Sequence, residues 1–121
     1  MKILSLAVVL VLNATQGHTE VAYNADFVHE LRLLGRGHEA FQYALTWAGS
    51  GDADAELEVI YSLLDGKGVE PDPLAAMAFA CGPRQVNQFN IEKVLIVGNL
   101  RLSGTGIAVV RCEDLHEGQW I

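Results

Sequence analysis

Leu63-Leu64-Asp65-Gly66-Lys67-Gly68-Val69 recurs in altered form 38 residues later, as Arg101-Leu102-Ser103-Gly104-Thr105-Gly106-Ile107. Each copy follows an apolar run at helical spacing and precedes a shorter second run. Glycine enters the left-handed region past a helix C-terminus without steric penalty, so each Gly-x-Gly ends one helix and turns the chain into the next. A repeat of this period is the signature of stacked helical hairpins. The expected fold is all-α, a short right-handed α–α solenoid of about three antiparallel helical hairpins.

Upstream of the first copy, Leu57, Ile60, Tyr61 and Leu64 form one helical stripe. Asp52 or Asp54 supplies its N-cap, and Glu56 and Glu58 lie near the positive end of the helix dipole. Downstream, Asp72-Pro73 is an N-cap followed by proline at the first helical position, opening a helix to about Cys81. Gly82-Pro83 breaks it. Further out, Asn24 or Asp26 starts a helix to about Leu34, with Phe27, Leu31 and Leu34 on one face. Gly35-Arg36-Gly37 ends it, and a second helix runs from about His38 to Ala48. Its stripe is Ala40, Phe41, Ala44, Leu45 and Ala48, with Tyr43 and Trp47 beside it.

Around the second copy, Asn87 or Asn90 opens a helix through about Leu102. The β-branched run Val94 to Val97 suits a strand equally well by propensity, but its register with the first copy selects helix. Residues 109–117 are expected to form a short last helix, with Trp120-Ile121 packed back over the end. Val109-Val110-Arg111 stands where the first copy has Pro71-Asp72-Pro73, so the cap signal is lost there.

With 121 residues, half of them apolar, the chain has enough material for one packed domain. Its formal net charge of −7 and lack of a Lys/Arg cluster argue against nucleic-acid binding, which draws its affinity from phosphate neutralisation. An acidic surface suits a basic partner and also favours solubility. The N-terminus has the pattern of a secretory signal. Lys2 supplies the positive charge, and Ile3 to Leu12 is apolar except for Ser5, shorter than the ~20 residues a membrane span needs. The expected division is a signal peptide over 1–17 and a repeat domain over 18–121, with cleavage after Gly17 or Ala22. The mature chain then has no membrane span and works in the bacterial periplasm or outside the cell.

An even count of two cysteines, Cys81 and Cys112, permits a disulfide in an exported protein. Regular hairpins would set the two a helix length apart, beyond the ~7 Å Cα limit for a bridge. The pair therefore reads either as a disulfide or as two small buried thiols.

The stretch from Phe41 to Ala80 resembles a Sel-like repeat, a branch of the tetratricopeptide-type helical repeats. The resemblance rests on Ala44-Leu45-Thr46-Trp47-Ala48, Gly51-Asp52-Ala53-Asp54-Ala55, Tyr61, Gly66-Lys67-Gly68-Val69, Asp72 and Ala75-Ala76. The second copy keeps Val97-Gly98 and Gly104-x-Gly106-Ile107 but lacks the aspartate and the alanine pair. In such hairpins Val69 and Ile107 are placed to plug the open end. The resemblance implies an adaptor or regulatory module whose concave face is built by the first helix of each hairpin, with Glu58, Tyr61, Ser62 and Asn99 contacting another protein. It also implies a second reading, since some small exported Sel-like proteins are similar to immunity proteins that neutralise a secreted toxin.

Catalytic chemistry is weakly represented. His29-Glu30, His38-Glu39 and His116-Glu117 are not followed by a second histidine at zinc-protease spacing, because positions 33, 42 and 120 are Leu, Gln and Trp. Neither Gly-x-Gly loop continues into a phosphate-binding fingerprint. The expectation is a non-enzymatic chain without metal or cofactor, monomeric or a small homo-oligomer, with a metal-binding or enzymatic protein using these histidines as the remote alternative.

Overall fold

The computed structural model describes residues 22–82 and 87–115. The predicted leader over 1–17 and the cleavage point after Gly17 lie outside them, as do His116-Glu117 and Trp120-Ile121, whereas Ala22, the other candidate cleavage point, is the first described residue.

Among the described residues the chain forms five α-helices and no strand: α1 Ala25–Leu33, α2 Gly37–Gly49, α3 Ala53–Asp65, α4 Pro73–Cys81 and α5 Gln88–Leu102. A 3-10 turn at Cys112–Asp114 follows. Each helix packs on the next in sequence, α3 also touches α5, and the 3-10 turn lies against α4. The result is two layers, α1, α3 and α5 in one and α2 and α4 in the other.

Capping side chains set the helix starts. Asn24, Asp52, Asp72 and Asn87 each accept a hydrogen bond from a backbone N–H of the first turn they precede, at 2.9 to 3.2 Å. The competing candidates Asp26, Asp54 and Asn90 fall inside the helices. Gly66, at φ 76°, closes α3 in the left-handed region and donates to the Ser62 carbonyl at 2.8 Å. Gly68, at φ 72°, then lies so close to Gly37 that a Cβ would sit 2.0 Å from the Gly37 carbonyl oxygen. Two glycines facing each other thus dock the α3–α4 loop on the first turn of α2.

The main core joins α2 to α5 through Phe41, Ala44, Val59, Ile60, Phe79 and Val94. Alanines let the helix axes approach, and Gly98 rests on the Met77 side chain. A smaller cluster ties α1 to α2. Val28 and Leu31 are its buried α1 residues, whereas Phe27 and Leu34 of the expected stripe are exposed. Tyr43 holds this end, stacking on Tyr23, meeting Phe27 edge-on and accepting a hydrogen bond from Asn24 N–H at 2.9 Å. Half-buried positions on α3 are Leu57 and Tyr61, while Val59 and Leu63 are buried, so the core face of this central helix is wider than its sequence stripe.

The C-terminal segment departs from expectation. Residues 107–111 are not helical, and Arg111 is extended at φ −121° and ψ 164°. An extended chain advances about 3.3 Å per residue against about 1.5 Å in a helix. Five residues without helical winding can therefore span as much length as the nine-residue α4. Cys112 reaches Cys81 at the far end, with Cα atoms 5.4 Å apart, and the two form a disulfide. The alternative of two buried thiols is corrected, because the assumption of a last helix was wrong. The lost cap and the β-branched Ile107, Val109 and Val110 are the physical reason. The third hairpin thus consists of one helix and an extended strap.

Candidate functional site

The layer of α1, α3 and α5 presents three contacts that cross from helix to helix. Between α1 and α3, Arg32 Nη2 donates to Glu58 Oε2 at 2.6 Å and to Ser62 Oγ at 3.0 Å. The Ser62 hydroxyl donates in turn to Glu58 Oε2 at 3.1 Å. Between α3 and α5, the Lys93 ammonium lies 5.9 Å from the centre of the Tyr61 ring, within cation–π range. At the end of the same pair, Arg101 donates to the Leu64 carbonyl at 2.8 Å and to Asp65 Oδ1 at 3.0 Å. That contact satisfies a helix-terminal carbonyl and places a cation at the negative end of α3.

These contacts sort the four predicted partner-binding residues. Tyr61 is half-buried with its ring under an exposed lysine, and Glu58 is partly exposed in its ion pair. Both remain accessible. Ser62 has no exposed surface, so its place on a contact face is corrected. Position 62 follows Tyr61 by only 100° around the helix and turns toward α1, where Arg32 and Glu58 consume its hydroxyl. Asn99 is half-buried. Its amide donates to the Val110 carbonyl at 2.9 Å and accepts from Val110 N–H at 2.8 Å, so it is occupied in holding the strap. The residue equivalent to Tyr61 in the second copy therefore also ties α5 to the strap.

The repeat glycines divide in the same way. Gly66 and Gly68 are packed against Pro71 and Gly37, and Val69 is half-buried against the core. Gly104 and Gly106 also have positive φ, yet a Cβ at either would meet nothing within 4 Å. Ile107 is 46% exposed and does not plug the hairpin. Among the described residues no second α-helix follows for it to seal against.

Sequence reasoning missed a cavity of about 230 Å³ on the opposite layer. Phe41 and Leu45 of α2 form one wall, Ala75 and Phe79 of α4 the other. Val59 and Leu63 of α3 form the floor, Val69 of the docked loop closes one end, and Asp72 stands in the lining. The signal was the small residue Ala75 beside large apolar ones, which reads in sequence as ordinary core.

Two electrostatic features complete the surface. Burial first, then the charges of Glu58 and Asp52, push the Tyr23 hydroxyl up to about 12. The hydrogen bond from Arg36 holds the Glu39 carboxyl below its usual range. His38 Nδ1 lies 3.3 Å from the Gly68 carbonyl, at the docked loop. Among the described residues no three of His, Cys, Asp and Glu gather as a metal-holding group, and no helix is long and apolar enough to cross a membrane. Comparison with protein-family models, curated proteins and solved structures returned no match to this chain.

Proposed function

We propose that this chain is a protein-binding module of the Sel-like helical-repeat type, working as an adaptor or regulator in an exported compartment, with its partner seated across α1, α3 and α5. The observation that carries this reading is the side-by-side layer of helices displaying Glu58, Tyr61 and Lys93 on a braced scaffold. A half-exposed tyrosine beneath a lysine offers apolar area with polar tips, the composition of an interface anchor. The Cys81–Cys112 disulfide supports the exported setting, since such bonds persist in oxidising compartments. The same bond and the charge of −7 favour, as a second reading, an immunity protein that clamps a basic toxin stoichiometrically.

Affinity purification of the mature chain from its native envelope, followed by titration of the recovered partner, tests both. Tyr61→Ala is expected to weaken binding about 30-fold, the loss typical of an aromatic anchor. Unchanged affinity in both Tyr61→Ala and Lys93→Glu would sink the proposed face. A single stoichiometric partner with toxic activity selects the immunity reading, and several envelope proteins select the adaptor.

A further inference from the structure

A half-open apolar hollow lies between α2 and α4. Its walls and floor are held by the main core, with Val59 and Phe79 almost wholly buried. Its mouth is fixed from the loop side. Gly68 packs on Gly37, which sets Val69 over one end, and Asp72 N–H donates to the Leu63 carbonyl at 2.7 Å. Preformed walls remove the ordering penalty that weakens binding to mobile surfaces.

Volume decides the class of occupant. About 150 Å³ accommodates a benzene ring, whereas sites for cofactors and drug-sized ligands start near about 300 Å³. A hollow of about 230 Å³ therefore matches one aromatic side chain better than a nucleotide or a flavin. Charge narrows the choice further. Asp72 is the one charged residue in the lining, and its Oδ1 accepts from Ala75 N–H at 3.0 Å, which fixes the carboxylate in place. Its side chain is exposed, exposed Glu70 lies two residues away, and the chain as a whole carries −7.

We infer that this cavity receives one aromatic side chain of a partner protein, from a segment with a lysine or arginine beside the aromatic residue. The inference rests on the protein-binding reading but uses a separate surface. Val59 and Leu63 face the cavity, whereas Tyr61 projects from the other side of α3.

Three acetylated tripeptide amides test it: Lys-Trp-Lys, Glu-Trp-Glu and Lys-Ala-Lys, titrated into the purified chain by methyl NMR. The Lys-Trp-Lys peptide is expected to shift the methyl signals of Val59, Leu63, Val69 and Ala75. Glu-Trp-Glu should bind about three- to fivefold more weakly, and Lys-Ala-Lys should leave those signals unmoved. Asp72→Asn keeps an effective N-cap while removing the charge, so it should bring the two tryptophan peptides within about twofold of each other. Leu45→Phe, which fills the cavity without adding charge, should abolish the shifts. Absence of shifts at these four residues overturns the inference, as does an equal response to tryptophan and alanine peptides or to both charge forms. If the peptides fail while Tyr61→Ala still loses the native partner, only the cavity assignment falls. If the peptides bind yet no native partner exists, the protein-binding reading falls and the side-chain assignment falls with it.

Discussion

At the residue scale, two glycines with nearly the same backbone conformation have different jobs. Gly104→Ala meets open space, so its cost is the left-handed conformation alone, about 1–2 kcal/mol. Gly68→Ala adds a 2.0 Å collision with a backbone oxygen that cannot swing aside, and about 3 kcal/mol or more is expected. Urea denaturation of the two variants checks the contrast, and equal losses would contradict the docked loop. Ser62→Ala should destabilise by about 1–2 kcal/mol while leaving partner affinity unchanged, because its hydroxyl is consumed between Arg32 and Glu58. Tyr23 sets a pH limit. Its folded-state pKa of about 12 lies above the 10 of a free tyrosine, so the folded chain holds that proton more tightly. Stability is then fully present below pH 10 and falls as pH rises toward 12. Absorbance titration should show one of the three tyrosines ionising later than the others. Nothing in the sequence around Ser62 or Asn99 announced their roles, because both depend on a partner from another element.

At the element scale, the strap is the part that sequence pattern misread. Helix starts were legible because each cap is local: an Asn or Asp side chain satisfies an N–H two or three residues on. The course of residues 107–111 depends on long-range contacts, with Val110 buried in the core and Asn99 gripping its backbone. The disulfide spans a sequence separation of 31 residues, and closing a loop of that length stabilises by about 3–4 kcal/mol in the chain-entropy account. Replacing both Cys81 and Cys112 by serine is expected to lower unfolding free energy by up to that amount. Hydrogen exchange should show the loss concentrated at Val110 and the 3-10 turn, and an unchanged Val110 amide would mean that Asn99 alone holds the strap. Asn99→Ala should accelerate the same amide with the disulfide intact.

At the scale of the whole molecule, the acidic charge bears on how a partner arrives. A charge of −7 steers a basic protein to the surface, so association should slow about tenfold or more between low and high salt while dissociation changes little. Stopped-flow measurements on the recovered partner check this, and a salt-independent on-rate would point to an apolar interface. Both ends of the stack leave apolar side chains exposed, Leu33 and Leu34 at one and Ile96 and Leu100 at the other, because a terminal hairpin has a neighbour on one side only. The sequence by itself determined that the described chain is helical, roughly where α1 to α5 lie, and that the first Gly-x-Gly turn joins two helices, because period, caps and left-handed glycines are local properties of the chain. Tertiary structure alone decided that Ser62 faces inward and that Asn99 pairs with the Val110 backbone, that the last hairpin is closed by an extended strap bonded to Cys81, and that a cavity lies between α2 and α4. Those outcomes depend on distances between residues far apart in sequence, and no local pattern encodes them.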